Sequence, residues 1–81
     1  MELKDTINLM NSEDYKERFK AEYYQTKIRY DKLHKMLIKN DAKTLDFKPN
    51  CPVETLEKQA MHMGNYLKCL EIRAEVEGID L

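Results

Sequence analysis

Glycine, proline, serine and tryptophan are scarce or missing in this 81-residue chain, and each shortage closes off a class of protein. Two glycines and two prolines are too few for the tight turns of an all-β domain or for a low-complexity linker. Gly64 and Gly78 stand fourteen residues apart, so neither a dinucleotide fingerprint nor a P-loop can be written anywhere. No apolar run approaches the ~18 residues of a membrane span, and the opening MELKDTINLM lacks the apolar core of a secretion signal. A soluble cytoplasmic protein is expected. The single serine, Ser12, sits where a helix would begin, and neither His34 nor His62 has a nucleophile beside it. No catalytic constellation is present, so the expectation is a protein that is not an enzyme. His34 and Asp31 share a helical face, a spacing that makes a surface contact rather than a general base.

Cysteine is equally sparse. Cys51 and Cys69 form no CxxC pair, which fits a reducing compartment. With His34 and His62 they match no zinc-ligand spacing, and no metal or cofactor is implied.

What the chain does have is charge and helical periodicity. The net charge of −1 hides a strong segregation. Residues 1–14 carry −3, residues 15–48 carry +5 from ten Lys/Arg against five acids, and residues 49–81 carry −3. Oppositely charged helices attract one another, so part of this asymmetry serves folding.

Between Ser12 and Lys39 there is no Gly or Pro, and Tyr15, Phe19, Tyr23, Thr26, Tyr30, Leu33 and Leu37 recur every three or four residues. At 100° per residue they fall within about an 80° arc, one face of one helix of about 40 Å. Ser12 is the expected N-cap. Asn40, Asp41, Pro49 and Pro52 then interrupt the helix. Leu45 and Phe47 in that connector are expected to plug the end of the helix pair. Cys51-Pro52-Val53-Glu54 predicts the next helix, with Pro52 at its first position and Glu54 at the third. Its seam of Val53, Leu56, Ala60, Met63, Leu67, Leu70 and Ala74 follows a strict heptad, and Gly78 ends it as a left-handed cap. Gly64 in mid-helix costs about 1 kcal/mol relative to Ala, so it is either a tolerated surface glycine or the place where a backbone or ligand comes close. Leu3, Ile7 and Met10 share a helical spacing at the start.

The fold class expected is all-α: a long, coiled-coil-like antiparallel hairpin in a single domain, residues 1–81. It comprises a short helix at 2–10, a helix at 13–39, a loop at 40–51 and a helix at 52–77. Pairing residues whose numbers sum to roughly ninety places Tyr30 near Ala60 and Tyr23 near Leu67. A chain this short buries only about 60–65% of its unfolded surface. Tyr24, Ile28, Met36 and Ile38 on the first helix, and Tyr66, Cys69, Ile72 and Val76 on the second, lie off the seam. A second contact surface, most economically a homo-oligomer, is therefore expected.

Four of the five tyrosines lie on the first helix among its lysines. Tyr23 and Tyr30 belong to the seam. Tyr24 lies off it, on the sector that carries Lys20, Lys27, Lys35 and His34. A flat ring beside ammonium groups can stack a base and hold a phosphate. The other reading of Tyr24 is an interface residue covered by a second copy. Duplex nucleic acid is disfavoured, because the acidic second helix would lie beside any phosphate track.

The Tyr15-to-Phe19 helix start with Arg18, then Glu22, Lys32-Leu33, Leu37-Ile38, Cys51-Pro52, Gln59, Met63, Tyr66, Leu70 and Arg73 form a recognisable pattern. Across residues 14–78 it resembles a family of small helical proteins from crAss-like and other tailed phages of gut bacteria. The resemblance implies this hairpin fold and a phage origin, hence the cytoplasm of an infected bacterial host. In size, hairpin plan and basic, Tyr-rich first helix the chain is also similar to the phage sponges that sequester cyclic-nucleotide signals of CBASS and Thoeris immunity. Those are oligomers with ligands between protomers. Their tyrosine-to-lysine ligand motif is absent here at its spacing, so no binding residue is carried over.

Two functions follow as expectations. The first is a phage anti-defence sponge that binds a cyclic oligonucleotide or a cyclic ADP-ribose-type ligand between protomers. Tyr24 would stack the base, Lys20, Lys27 and Lys35 would hold phosphates, and His34 would donate a hydrogen bond. The alternative is a helical protein–protein interaction module that inhibits or adapts a host or phage protein through Ile28, Tyr66, Ile72 and Val76.

Overall fold

A computed structural model describes all of residues 1–81. The chain is all-helical, without strands. A 3-10 turn over Leu3–Thr6 runs into a helical turn, α1, Ile7–Met10; two long helices follow, α2, Tyr15–Asp41, and α3, Val53–Glu77. The long helices pack against each other in a body 43 × 25 × 17 Å. No helix is long and apolar enough to cross a membrane.

The helix ends depart from expectation in instructive ways. α2 starts at Tyr15, and its N-cap is Asp14 rather than Ser12. The Asp14 carboxylate accepts from the Lys16 N–H at 2.9 Å, while the Ser12 hydroxyl accepts from the Asp14 N–H at 3.0 Å. Asp14 thus serves the first turn and Ser12 serves the N–H of Asp14, and the carboxylate also complements the helix dipole. Pro52 occupies the cap position, with φ −54° and ψ 138°, so Val53 and not Pro52 is the first helical residue of α3. Gly78 caps α3 at φ 70° as expected, and the Ile79 N–H donates to the Ala74 carbonyl at 2.8 Å. That closure turns Ile79 into the core, where it is buried with Ala74.

The register also differs from the one expected. The Tyr30 ring lies against Gly64, the Tyr23 hydroxyl reaches Glu71, and Tyr15 reaches Glu77. The pairing is displaced by about one helical turn, and Tyr30 faces Gly64 in place of Ala60. The ring lies 3.4 Å from where a Cβ of residue 64 would stand, an ordinary contact, which resolves the choice posed by Gly64. What comes close is a side chain of α2.

The core is confined to one end. Phe19, Tyr23, Leu67, Leu70, Ala74 and Ile79 form a single buried cluster. The N-terminal segment packs on α2 and not on α3, with Thr6 and Ala21 fully covered. On the surface of this end a clasp joins the start of α2 to the finish of α3. Tyr15 Oη donates to Glu77 Oε1 at 2.9 Å, and Arg73 Nη2 donates to Tyr15 Oη at 2.7 Å. The Arg73 guanidinium also lies 5.0 Å from the Phe19 ring centroid. The hydrogen bond from Tyr15 holds the Glu77 carboxyl below its usual range, and the bond to Glu77 raises Arg73.

From Tyr24 to Tyr66 no residue is fully buried. Leu33, Leu37, Leu56, Ala60 and Met63 face the seam there, yet all remain half-buried. At the turn Leu45 is half-buried, but Phe47 is 55% exposed and does not plug the helix pair as expected.

Candidate functional site

The five residues singled out from the sequence all lie on α2, but over about 22 Å of helix from Lys20 to Lys35. No one small ligand on a single protomer spans that length. The structure sorts them into three groups.

Lys20 and Tyr24 lie at the cored end. Tyr24 is half-buried and packs on the core cluster, its ring edge-on to Tyr23 at 5.2 Å and 78°. It therefore does not stand as a free platform opposite the seam, as its position on the helical wheel implied. Lys20 beside it is half-buried.

One turn further on, Lys27, Tyr30 and His34 come together. The His34 ring stacks nearly parallel on Tyr30, at 5.6 Å between centroids and 10° between planes. Lys27 Nζ lies 5.8 Å from the Tyr30 centroid and 3.2 Å from Asp31 Oδ1. Asp31 thus pairs with Lys27, not with His34. This group is an exposed imidazole on a half-buried phenol with an ammonium on its flank, lying beside the glycine of the opposite helix. It can present a flat face and positive charge to a planar anion. Tyr30 was assigned to the seam on periodicity, and it does face α3. Its i, i+4 spacing to His34 is the signal that would have placed it in the cluster as well.

Lys35 belongs to a third place. With Lys32 and Lys39 it faces the turn, where Leu45, Asp46 and Phe47 fold back. Lys32, Lys39 and Phe47 are not among the ligand contacts expected from the sequence. The i, i+3, i+7 lysine spacing was legible, but the return of Phe47 toward it required the fold.

Tyr23 stands apart from these groups. Its hydroxyl donates to Glu71 Oε2 at 2.7 Å, and burial together with that carboxylate pushes its pKa up to about 12. This is a structural bond between the helices. No group of three or more His, Cys, Asp or Glu side chains is placed to hold a metal ion.

The arrangement defines a small helical hairpin with a closed end and an open, basic, aromatic end. Residues 13–76 match the family model for Sequestin, and the chain belongs to the Sequestin family. The match begins just before the Asp14 cap and ends within the last turn of α3, so it covers both long helices. The name suggests sequestration, a binding role without catalysis. No curated protein and no solved structure matches the chain.

Proposed function

We propose that the protein is a non-catalytic phage anti-defence factor that sequesters a cyclic-nucleotide immune signal in the host cytoplasm, at a site completed between protomers. The observation that carries this reading is the open half of the hairpin. It concentrates Lys27, Tyr30, His34 and Lys35 where no residue is fully buried, so a second copy and a ligand can both add burial there. The Sequestin membership supports a holding role. Ligand contacts are assigned to Lys27 and His34 with Tyr30 behind them, and to Lys35. Lys20 and Tyr24 lie about 10 and 5 Å back along α2 from Lys27, within reach of the same ligand, and are assigned as further contacts.

Isothermal titration against cyclic di- and trinucleotides and cyclic ADP-ribose isomers tests this. Heat of binding with at least one member, lost in Lys27→Gln, is the expected result. Silence across the panel at micromolar protein would sink the proposal. Light scattering adds a second check, because a monomer at all concentrations removes the inter-protomer site.

One observation favours a second reading. The outer face of α3 exposes Met61, Ile72 and Val76, with Val76 81% exposed, and Tyr66 stands at its margin. Such a ridge suits an interaction module for a host or phage protein. Pull-down of a stoichiometric partner from host lysate, abolished by Tyr66→Ala and unaffected by nucleotides, would favour it over sequestration.

A further inference from the structure

At the turn between the long helices, Leu45, Asp46 and Phe47 fold back beside the last turns of α2 and border an open hollow of about 340 Å³. Its other walls are Lys32, Lys35, Met36 and Lys39. The volume lies within the ~300–1,000 Å³ range of small-ligand clefts. Three ammonium groups at i, i+3 and i+7 stand on one stripe of α2. Ion pairs elsewhere engage Lys4, Lys27 and Arg73, whereas none of these three lysines has a carboxylate within pairing distance. Asp46 is the one acid of the hollow, so it retains an excess positive charge that a bound anion would relieve. The remaining wall is apolar, and its aromatic member, Phe47, keeps more than half its surface in water. An exposed ring beside unpaired cations offers a flat anionic ligand a stacking surface and charge together.

We infer that this hollow is a binding site for an aromatic phosphate, its phosphate held by Lys32, Lys35 and Lys39 and its flat ring laid on Phe47. The inference rests on the reading of the protein as a small-ligand binder, but it requires neither a cyclic ligand nor a second protomer. Lys35 is the one residue shared with the site proposed above. Phe47 and Lys39 belong to the hollow alone and separate the two.

The test is a two-dimensional amide NMR titration of the full chain with AMP, with adenosine and inorganic phosphate as its separate halves. AMP is expected to shift the amides from Lys35 to Phe47 saturably and to bind at least tenfold more tightly than either half. Phe47→Ala weakens AMP by about fivefold or more, the loss of one stacked ring, and leaves phosphate unchanged. Lys39→Gln weakens both AMP and phosphate. The same spectra report whether each variant is folded. The inference is overturned if AMP moves no amide of the hollow, if its shifts fall on Lys27 to His34 instead, or if Phe47→Ala binds AMP as tightly as the parent. Should the cyclic-nucleotide panel fail while AMP still fills the hollow, the sequestering proposal falls and the hollow stands.

Discussion

The two ends of this hairpin use the same kind of seam and reach different outcomes. At the end where α2 begins and α3 finishes, with the N-terminal segment packed on α2, every fully buried residue of the protein is found. At the turn, only two helices and a short connector are available. Leu33, Leu37, Leu56 and Met63 are apolar like Leu67 and Leu70, yet they stay only partly buried. Two cylinders touching along a line cannot enclose their contact stripe, and a third body is required to finish it. The cored end closes its stripe with the Ile79 turn and the Tyr15–Arg73–Glu77 clasp, while the N-terminal segment covers α2 alone. The open end leaves the place vacant, and it is there that the lysines and the stacked Tyr30–His34 pair are found.

The largest expected effect sets the two ends directly against each other. Leu70→Ala, at a fully buried site, costs about 2–5 kcal/mol by urea denaturation, whereas Leu37→Ala in dilute protein costs less than about 1.5 kcal/mol. Equal losses would erase the distinction. A cost for Leu37→Ala that grows with protein concentration would instead show that association completes the open end.

Next in size is the tie between the helices at the cored end. Tyr23→Phe removes the bond to Glu71 and is expected to cost about 1 kcal/mol. The same residue gives a pH signature. Its pKa is raised from 10.0 to about 12 in the folded protein, so the folded state holds the phenolic proton more tightly than the unfolded chain. Stability from this source is complete below pH 10 and is lost as the pH rises toward 12. Tyr23→Phe is expected to flatten that part of the stability curve; an unchanged slope would place its origin in another tyrosine.

The two glycines sharpen the contrast with opposite signs. Gly78→Ala forces a side chain into the left-handed region at φ 70° and costs about 1 kcal/mol. Gly64→Ala places a methyl group at ordinary contact distance, 3.4 Å, from the Tyr30 ring and gains about 0.5–1 kcal/mol of helix propensity. Thermal melts of the two variants check both signs. The smallest effect belongs to Lys27→Gln. Its exposed pair with Asp31 is worth no more than about 0.5 kcal/mol, so stability barely moves while ligand binding, if Lys27 holds a phosphate, falls.

Much of the helical plan was legible in the chain because helix formation is governed by short-range rules. The absence of Gly and Pro between Ser12 and Lys39, the three-four spacing from Tyr15 to Leu37 and the glycine at 78 each act within a turn or two. The two long helices emerged within two residues of the spans read from the pattern. The site was less legible. Tyr24 shares a helical sector with Lys20 and Lys27, but a wheel cannot show that its ring is drawn edge-on to Tyr23 and onto the core. The tyrosine that carries a stacked partner is Tyr30, which periodicity had assigned to the seam alone. Phe47 could be read only as an apolar residue in a loop.

Local chemistry, then, was enough to specify an all-helical hairpin, its charge segregation, its apolar faces and the left-handed cap at Gly78. The one-turn register, the core confined to one end and the hollow that unites Phe47 with three lysines depend on contacts between residues further apart in the chain. Periodicity defines which face of a helix is apolar, but sliding one helix along another by a turn preserves both faces. Only the fit of particular side chains, Tyr30 against Gly64 and Tyr15 between Arg73 and Glu77, selects among those positions.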